Sequence, residues 1–277
     1  MFPTAPCCRP LKSYAISRGS ELAQTVNKIQ STSSKVTGSV PAGTKDEATA
    51  AAAVREMFSA IAPRYDLLNH LLSFNVDRYW WWRTARMFRS VLSRPAVGVL
   101  DLCCGTGDLT RALRRRARTS RPILGIDFSH PMLVRGENKT STQNIRLIEA
   151  DALKLPFREN SFDLVTSAFG FRNLANYEAG LREVYRVLSP HGEIGILDFG
   201  EPAGMLGKVY RLYFKHVLPR IGTFISGVKG PYAYLPASVE RFPPPQEMLE
   251  RMEQVGFRDV SWTPYTFGIA GLFRGRK

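Results

Sequence analysis

The chain has 277 residues, 44% of them hydrophobic and 22% charged, with a formal net charge of +14. That length supports one sizeable core with a small extension rather than two large domains, and the composition excludes a fibrous or wholly disordered protein. No uninterrupted apolar run reaches the roughly 18 residues of a membrane-spanning helix, so any bilayer contact is expected to be peripheral.

Residues 1–45 hold Arg9, Lys12, Arg18, Lys28, Lys35 and Lys45 against Glu21 alone, are rich in Ser and Thr, and have no sustained apolar period. Such a segment buries too little apolar surface to offset its ordering entropy, and a disordered basic leader is expected. A basic, acid-poor, Ser-rich start also fits an organellar transit peptide. A plain tail, or a start placed too early, is preferred, and the expected location is cytoplasmic. The cysteines fall as adjacent pairs, Cys7/Cys8 and Cys103/Cys104, with neither zinc-knuckle nor C-x-x-C spacing. Neighbouring cysteines bridge poorly, so a reducing compartment is the simplest reading and no metal is expected.

A single folded unit is expected over 46–277. Glu47 to Ala62 is Ala-rich with Val54, Met57, Phe58 and Ile61 at helical spacing, which predicts a helix ending before Pro63. A second helical pattern spans Tyr79 to Leu92, closing an N-terminal helical section, 46–95. Residues 97–200 then alternate short apolar runs (Val97–Leu102, Ile123–Ile126, Ile145–Ile148, Phe162–Ala168, Glu193–Phe199) with helical stretches near Leu109–Arg116, Met132–Asn138 and Glu178–Leu188. This predicts an α/β fold, a doubly wound parallel sheet with helices on both faces and ligands at the carboxyl ends of its strands. An insertion at 203–245 is expected to form a helical lid. Between Glu201 and Glu240 it has no acid, while Lys208, Arg211, Lys215, Arg220 and Lys229 alternate with aromatic and aliphatic residues. Residues 246–277 close with a helix, Gln246–Val255, and strands near Arg258–Trp262 and Thr266–Phe273. A further basic run, Arg111 to Arg121, has six arginines and no acid; it reads as a solvated helix face.

Leu100-Asp101-Leu102-Cys103-Cys104-Gly105-Thr106-Gly107-Asp108 ends the first strand and opens a helix. Its glycines permit a tight turn and close backbone approach to a ligand. A dinucleotide fingerprint would place a third glycine where Thr110 stands, and Asp101 and Asp108 would repel a pyrophosphate. The same acids attract the cationic sulfonium and ammonium of S-adenosylmethionine. Asp127 ends the second strand, placed for ribose hydroxyls or as a helix cap. Asp151, followed by Ala152, ends the third, placed for an adenine amino group or as a turn cap.

Together Asp101–Thr110, Asp127 and Asp151 resemble the first three motifs of class I methyltransferases, which implies a Rossmann-like sheet. The match assigns cofactor contacts to Asp101, Gly105, Thr106, Gly107, Asp127, Asp151 and Ala152. Further segments resemble the ubiquinone/menaquinone biosynthesis C-methyltransferases, including the demethylmenaquinone methyltransferases. These are Met57-Phe58 through Tyr65-Asp66-Leu67-Leu68-Asn69, Leu72-Ser73-Phe74, Phe169-Gly170-Phe171-Arg172-Asn173, Arg186-Val187-Leu188-Ser189-Pro190, Leu218-Pro219-Arg220-Ile221-Gly222, and Tyr234-Leu235-Pro236-Ala237-Ser238 before Phe242-Pro243. The likeness covers roughly residues 50–275. Asp77 stands where the family often has histidine, His191 where it often has glycine, and Ala168 where some members have serine.

The resemblance implies methylation of a ring carbon in a prenylated quinol, demethylmenaquinol first and the ubiquinone-pathway benzoquinol as alternative. Arg172, following the fourth strand, is the expected catalytic cation, with a structural salt bridge as its plain alternative. Asn173 and Tyr65 are candidates to hydrogen-bond the quinol oxygens. The lid would cover the prenyl tail and touch an anionic membrane. A homodimer is admitted. Nucleic acid is not an expected partner, because Ser167-Ala168-Phe169-Gly170-Phe171 replaces the Asn/Asp-Pro-Pro-aromatic run of amino-group modifiers, and no cysteine nucleophile lies beyond Cys104.

Overall fold

The computed structural model describes residues 38–39, 41, 43–200, 202, 204, 207, 212–213 and 231–277. The chain divides into two units, 1–35 and Val36–Lys277, and the described residues all lie in the second. Most of the leader and of the 203–245 insertion therefore fall outside the described residues.

Asp46 starts the first helix, α1 (Glu47–Ile61), by accepting from the Thr49 amide at 2.8 Å, one half of a capping box with Thr49. A 3-10 turn through Pro63 leads to α2 (Tyr65–Leu72), which is not among the expected helices. Left-handed Phe74 and Asn75 turn the chain into α3 (Val76–Met87), and α4 (Arg89–Leu92) follows. The expected single helix Tyr79–Leu92 thus begins three residues earlier and breaks at Phe88, whose ring is fully buried.

Seven strands form one sheet: β1 (Val99–Leu102), β2 (Ile123–Asp127), β3 (Ile145–Glu149), β4 (Phe162–Ala168), β5 (Leu188–Phe199), β6 (Arg258–Tyr265) and β7 (Ala270–Arg276). Their order is β3-β2-β1-β4-β5-β7-β6. The first five are mutually parallel, and β7 runs antiparallel between β5 and β6. The expected doubly wound α/β fold is present. The intervening helices are α5 (Asp108–Arg114), α6 (His130–Thr140) and α7 (Tyr177–Val187), followed by α8 (Pro231–Arg241) and α9 (Pro245–Val255). One sheet face buries Leu181 and Val184 of α7 with Met248 and Met252 of α9. The other buries Phe88, Val91 and Leu92 with Leu109 and Leu113 of α5. Sandwiched this way, β1 is buried at all four positions, so its sequence reads as a continuous apolar run with one acid.

The leader boundary shifts toward the N-terminus. Ser39 is buried, its amide donates to Leu174 O at 2.7 Å and its hydroxyl meets Tyr234 Oη. A Cβ on Gly38 would lie 2.1 Å from Leu174 O. Residues 38–39 are therefore fitted to the core, seven residues or more before the expected start at 46.

Candidate active site

Order reversal between β1 and β4 opens the sheet at the carboxyl ends of those strands. After β1 the chain turns through left-handed Cys103 (φ 51), Gly105 (φ 55) and Gly107 (φ 81), and the Cys104 amide donates to Ile126 O at 2.8 Å. The turn carries Gly105 to Asp127 Oδ2, which accepts the Gly105 amide at 2.9 Å, while Oδ1 accepts the Ser129 amide at 2.9 Å. Asp127 is buried, and desolvation pushes its pKa up to about 6 against those hydrogen bonds.

A cleft of about 700 Å³ runs along this rim, lined by Gly105, Asp127, Met132, Asp151, Ala152 and Asn173 among others. A smaller one of about 380 Å³ adjoins it, where Asp101, Thr106 and Asp108 meet Tyr65. Asp101 is held by the Thr110 hydroxyl at 2.6 Å and the Thr166 hydroxyl at 2.8 Å, and burial pushes its pKa up to about 7. Thr106 donates to Asp66 at 2.6 Å and accepts from Lys139, which also bridges to Asp108. Gly107 is not among the residues lining these clefts; it supplies the left-handed residue that starts α5, with Thr140 3.5 Å from where its Cβ would stand. Asp151 is exposed and also caps its turn through the Leu153 amide at 2.8 Å.

A third cleft, about 760 Å³, is lined mainly by apolar and aromatic side chains, including Met57, Ile61, Trp80, Trp81 and Phe199. It shares Phe58, Tyr65 and Phe169 with the first cleft. Tyr65 thus stands where the two meet, its phenol pushed up to about 12 by burial, so it is a hydrogen-bond donor at neutral pH. Arg172 lies on the third cleft's wall. Its Nη1 donates to Asp198 Oδ1 at 2.9 Å and to Phe169 O, its Nε reaches Ser238 Oγ at 3.4 Å, and its guanidinium stacks 5.1 Å from the Phe199 ring. Asn173 bonds Phe169 O and accepts from Tyr234 Oη at 3.1 Å.

Two participants, Asp198 and His70, were not singled out from sequence. Asp198, wholly buried, is a fourth acid at a strand end, and its signal was a lone carboxylate in the apolar run Ile196-Leu197-Asp198-Phe199. Asp77 and His70 pair at 2.7 Å, Nδ1 to Oδ2, with Asp77 on the third cleft's wall. A histidine is thus present beside Asp77, contributed from α2. Of the expected lid, the described part places Tyr234 and Leu235 on the same cleft.

Among known proteins, the profile of the ubiE/COQ5 methyltransferase family matches residues 44–277. The chain belongs to that family. It is an S-adenosylmethionine-dependent methyltransferase. This methyltransferase is 49% identical over 228 residues to a demethylmenaquinone methyltransferase of Deinococcus radiodurans, covering 81% of the chain and 92% of the relative. A demethylmenaquinone methyltransferase of Thermus thermophilus is 47% identical over 222 residues, 79% of this chain and 99% of its own. A ubiquinone/menaquinone biosynthesis C-methyltransferase of Geobacter sulfurreducens is 43% identical over 229 residues, 81% and 88%. A SAM-dependent methyltransferase of Thermotoga maritima shares the fold at TM-score 0.57 and 16% identity, over 81% of this chain and 99% of that one.

The donor suits the methyltransferase's first two clefts. A buried carboxylate among Ile126, Met132 and Ala152 is under-solvated, as its raised pKa records, and gains from hydroxyl donors and positive charge. Donor and turn can also approach closely, since the nearest atom to a Cβ built on Gly105 is Tyr65 Cε1 at 3.8 Å.

Proposed function

We propose that the enzyme methylates a ring carbon of a prenylated quinol, demethylmenaquinol first, with the ubiquinone-pathway benzoquinol as the alternative or additional substrate. The observation that carries this is the apolar, aromatic third cleft meeting the donor cleft at Phe58, Tyr65 and Phe169. The names of the relatives agree with it.

In this reading Asp127 accepts the ribose hydroxyls, Asp151 and Ala152 border the adenine, and Gly105, Thr106 and Asp101 surround the methionine part. Bound S-adenosylmethionine supplies an electrophilic methyl on a positively charged sulfur. The protein must present the ring carbon in line with it, and positioning of that kind is worth roughly 7–11 kcal/mol. It must also favour the quinol's ionised form. A phenol with pKa about 10 is ionised about once per thousand at pH 7, some 4 kcal/mol of barrier.

Arg172 is placed to recover part of that barrier. Its Nη1 is committed to Asp198 and Phe169 O, whereas Nη2 has no partner among the described residues and can donate to the quinol oxygen. Asp198 fixes the guanidinium and partly cancels its charge, so the contribution is a directed hydrogen bond more than a free positive field. Tyr65 donates to the ring oxygens and Asn173 positions Tyr234. Asp77, backed by His70, is the carboxylate on the cleft wall able to take the hydroxyl proton.

The test is methyl transfer from labelled donor to demethylmenaquinol. Turnover is expected with the reduced quinol and none with the oxidised quinone, whose ring is not nucleophilic. Arg172→Lys is expected to lower turnover about a hundredfold, the usual scale for one positioned donor, while calorimetry shows donor affinity unchanged. Equal activity on both redox forms, or parallel loss of donor binding, refutes the reading.

A further inference from the structure

The inner faces of α2 and α3 line the proposed quinol cleft through Asn69, Ser73 and Asp77. Their outer faces are unusual. Of the eight large hydrophobic side chains exposed among the described residues, five fall within residues 67–82: Leu67, Leu71, Phe74, Tyr79 and Trp82. Leu67 and Leu71 are one helical turn apart on α2, Phe74 follows in the turn at 75% exposure, and Tyr79 stacks on Trp82 at 6.0 Å.

Beside Trp82 lies an open cleft of about 1160 Å³ where α3 faces α5, lined by His70, Arg78, Arg111, Arg115 and Arg116. Its one acid, Asp108, is already engaged by Lys139 at 3.0 Å and Arg111 at 3.6 Å. No carboxylate among the described residues pairs with Arg78, Arg115 or Arg116. Arg116 and Arg86 stack on Trp82 at 5.4 Å each, and the buried Nε of Arg111 has no hydrogen-bond partner among the described residues. Four converging guanidinium groups with a single compensated acid call for an anion. Leucines and an exposed phenylalanine alongside call for hydrocarbon.

We propose that this basic cleft binds the phosphodiester headgroup of an anionic lipid, with Leu67, Leu71 and Phe74 entering the adjacent acyl boundary. A small soluble anion would leave the apolar stripe unexplained, and a nucleic acid would leave the leucines without a role. An anionic bilayer satisfies both halves, since arginines are drawn to its surface and Trp and Tyr favour its interface. The proposal rests on the quinol reading in one respect: docking here brings the third cleft to the layer in which a prenylated ring dissolves. It also adds α2, α3 and α5 to the membrane contact expected of the 203–245 insertion, much of which lies outside the described residues.

The test uses the full chain and vesicles without quinol or methyl donor, so it stands or falls separately from the reaction. Flotation is expected with phosphatidylcholine vesicles that contain phosphatidylglycerol and not with phosphatidylcholine alone. Arg78→Gln with Arg115→Gln, both exposed, should weaken binding about thirtyfold, at about fivefold per arginine, while turnover on a short-tailed soluble quinol is unchanged. Leu71→Ser with Phe74→Ser should weaken binding to the same vesicles although the charge is intact. Arginine variants that float like the parent, or a protein that ignores these vesicles while binding single-stranded RNA through the same arginines, would overturn the proposal.

Discussion

Asp127 shows how one side chain ties fold to ligand. Both of its oxygens take backbone amides, from Gly105 and Ser129, so the residue shapes the turn and faces the donor cleft at once. Its pKa of about 6 against an ordinary 3.8 means that, between those values, the folded chain holds a proton that the unfolded chain has lost. Stability from this group is therefore greatest at the acid end of that window and falls as pH rises through it. With Asp127 in its proposed role at the ribose, donor binding has the opposite preference, because hydroxyl donors and the sulfonium charge favour the carboxylate. Affinity for S-adenosylmethionine, measured by calorimetry across pH, should thus fall about tenfold per unit once pH drops below about 6. Asp127→Asn should weaken binding about tenfold to a hundredfold at pH 7, the scale of hydrogen bonds to a charged group, and should flatten the pH profile. A profile that keeps its acid limb in the Asn variant would assign the titration to another group. Asp127 was visible in sequence because it ends a strand. Arg172 was visible too, but its partner Asp198 lies 26 residues on, and only the packing of β4 against β5 brings them together.

At the scale of elements, close approach of backbone to aromatic rings joins the layers. Gly195 in β5 sits under Phe88, whose Cζ would be 2.4 Å from an added Cβ, and this locks α3 and α4 against the sheet. Gly271 in β7 sits under the Trp262 indole of β6, with Nε1 2.2 Å from such a Cβ. The pair lies diagonally across the antiparallel edge, where Trp262 is in register with Phe273. Gly271→Ala must push the indole off the strand and should lower stability by about 1–3 kcal/mol, as overpacking commonly does. Thermal unfolding followed by tryptophan fluorescence checks both the loss and the displaced ring; an unchanged Tm would show that the edge pair adapts freely. The strands were legible because β1, β2 and β4 are short apolar runs bounded by turns. α2 was not, since its eight residues give barely two turns, too short a stretch for a helical period to stand out, although Leu67, Leu68, Leu71 and Leu72 do share that spacing. α8 falls inside the expected helical lid, but its bounds could not be read, because Pro236 inside Pro231–Arg241 argues against an uninterrupted helix there. His191 takes φ +64, so the left-handed turn that usually calls for glycine is kept with a different residue.

For the whole molecule, the strand order places the ends of β1, β2, β3 and β4 on one rim, and the expected donor residues gather there from separate motifs. That gathering follows from topology, and it is why strand-end acids could be read as a site before any distance was known. What sequence does not encode locally is the third cleft, proposed for the quinol and assembled from α1, α2, α3, the end of β4 and α8. Such a rim should couple ligand binding to global stability, since Asp127 anchors the β1 turn, Asp101 links β1 to α5 and β4, and Asp198 ties β5 to Arg172. A donor at a hundredfold its dissociation constant stabilises by about 2.7 kcal/mol. At about 2–4 °C per kcal/mol for a unit of this size, Tm should rise by about 5–10 °C. The rise should shrink in Asp127→Asn at the same donor concentration and survive in Arg172→Lys, because the first change weakens donor binding and the second touches only the quinol cleft. Scanning calorimetry of the three proteins with and without S-adenosylmethionine decides it, and an Arg172→Lys protein that loses the shift would move Arg172 from the quinol side of the rim to the donor side.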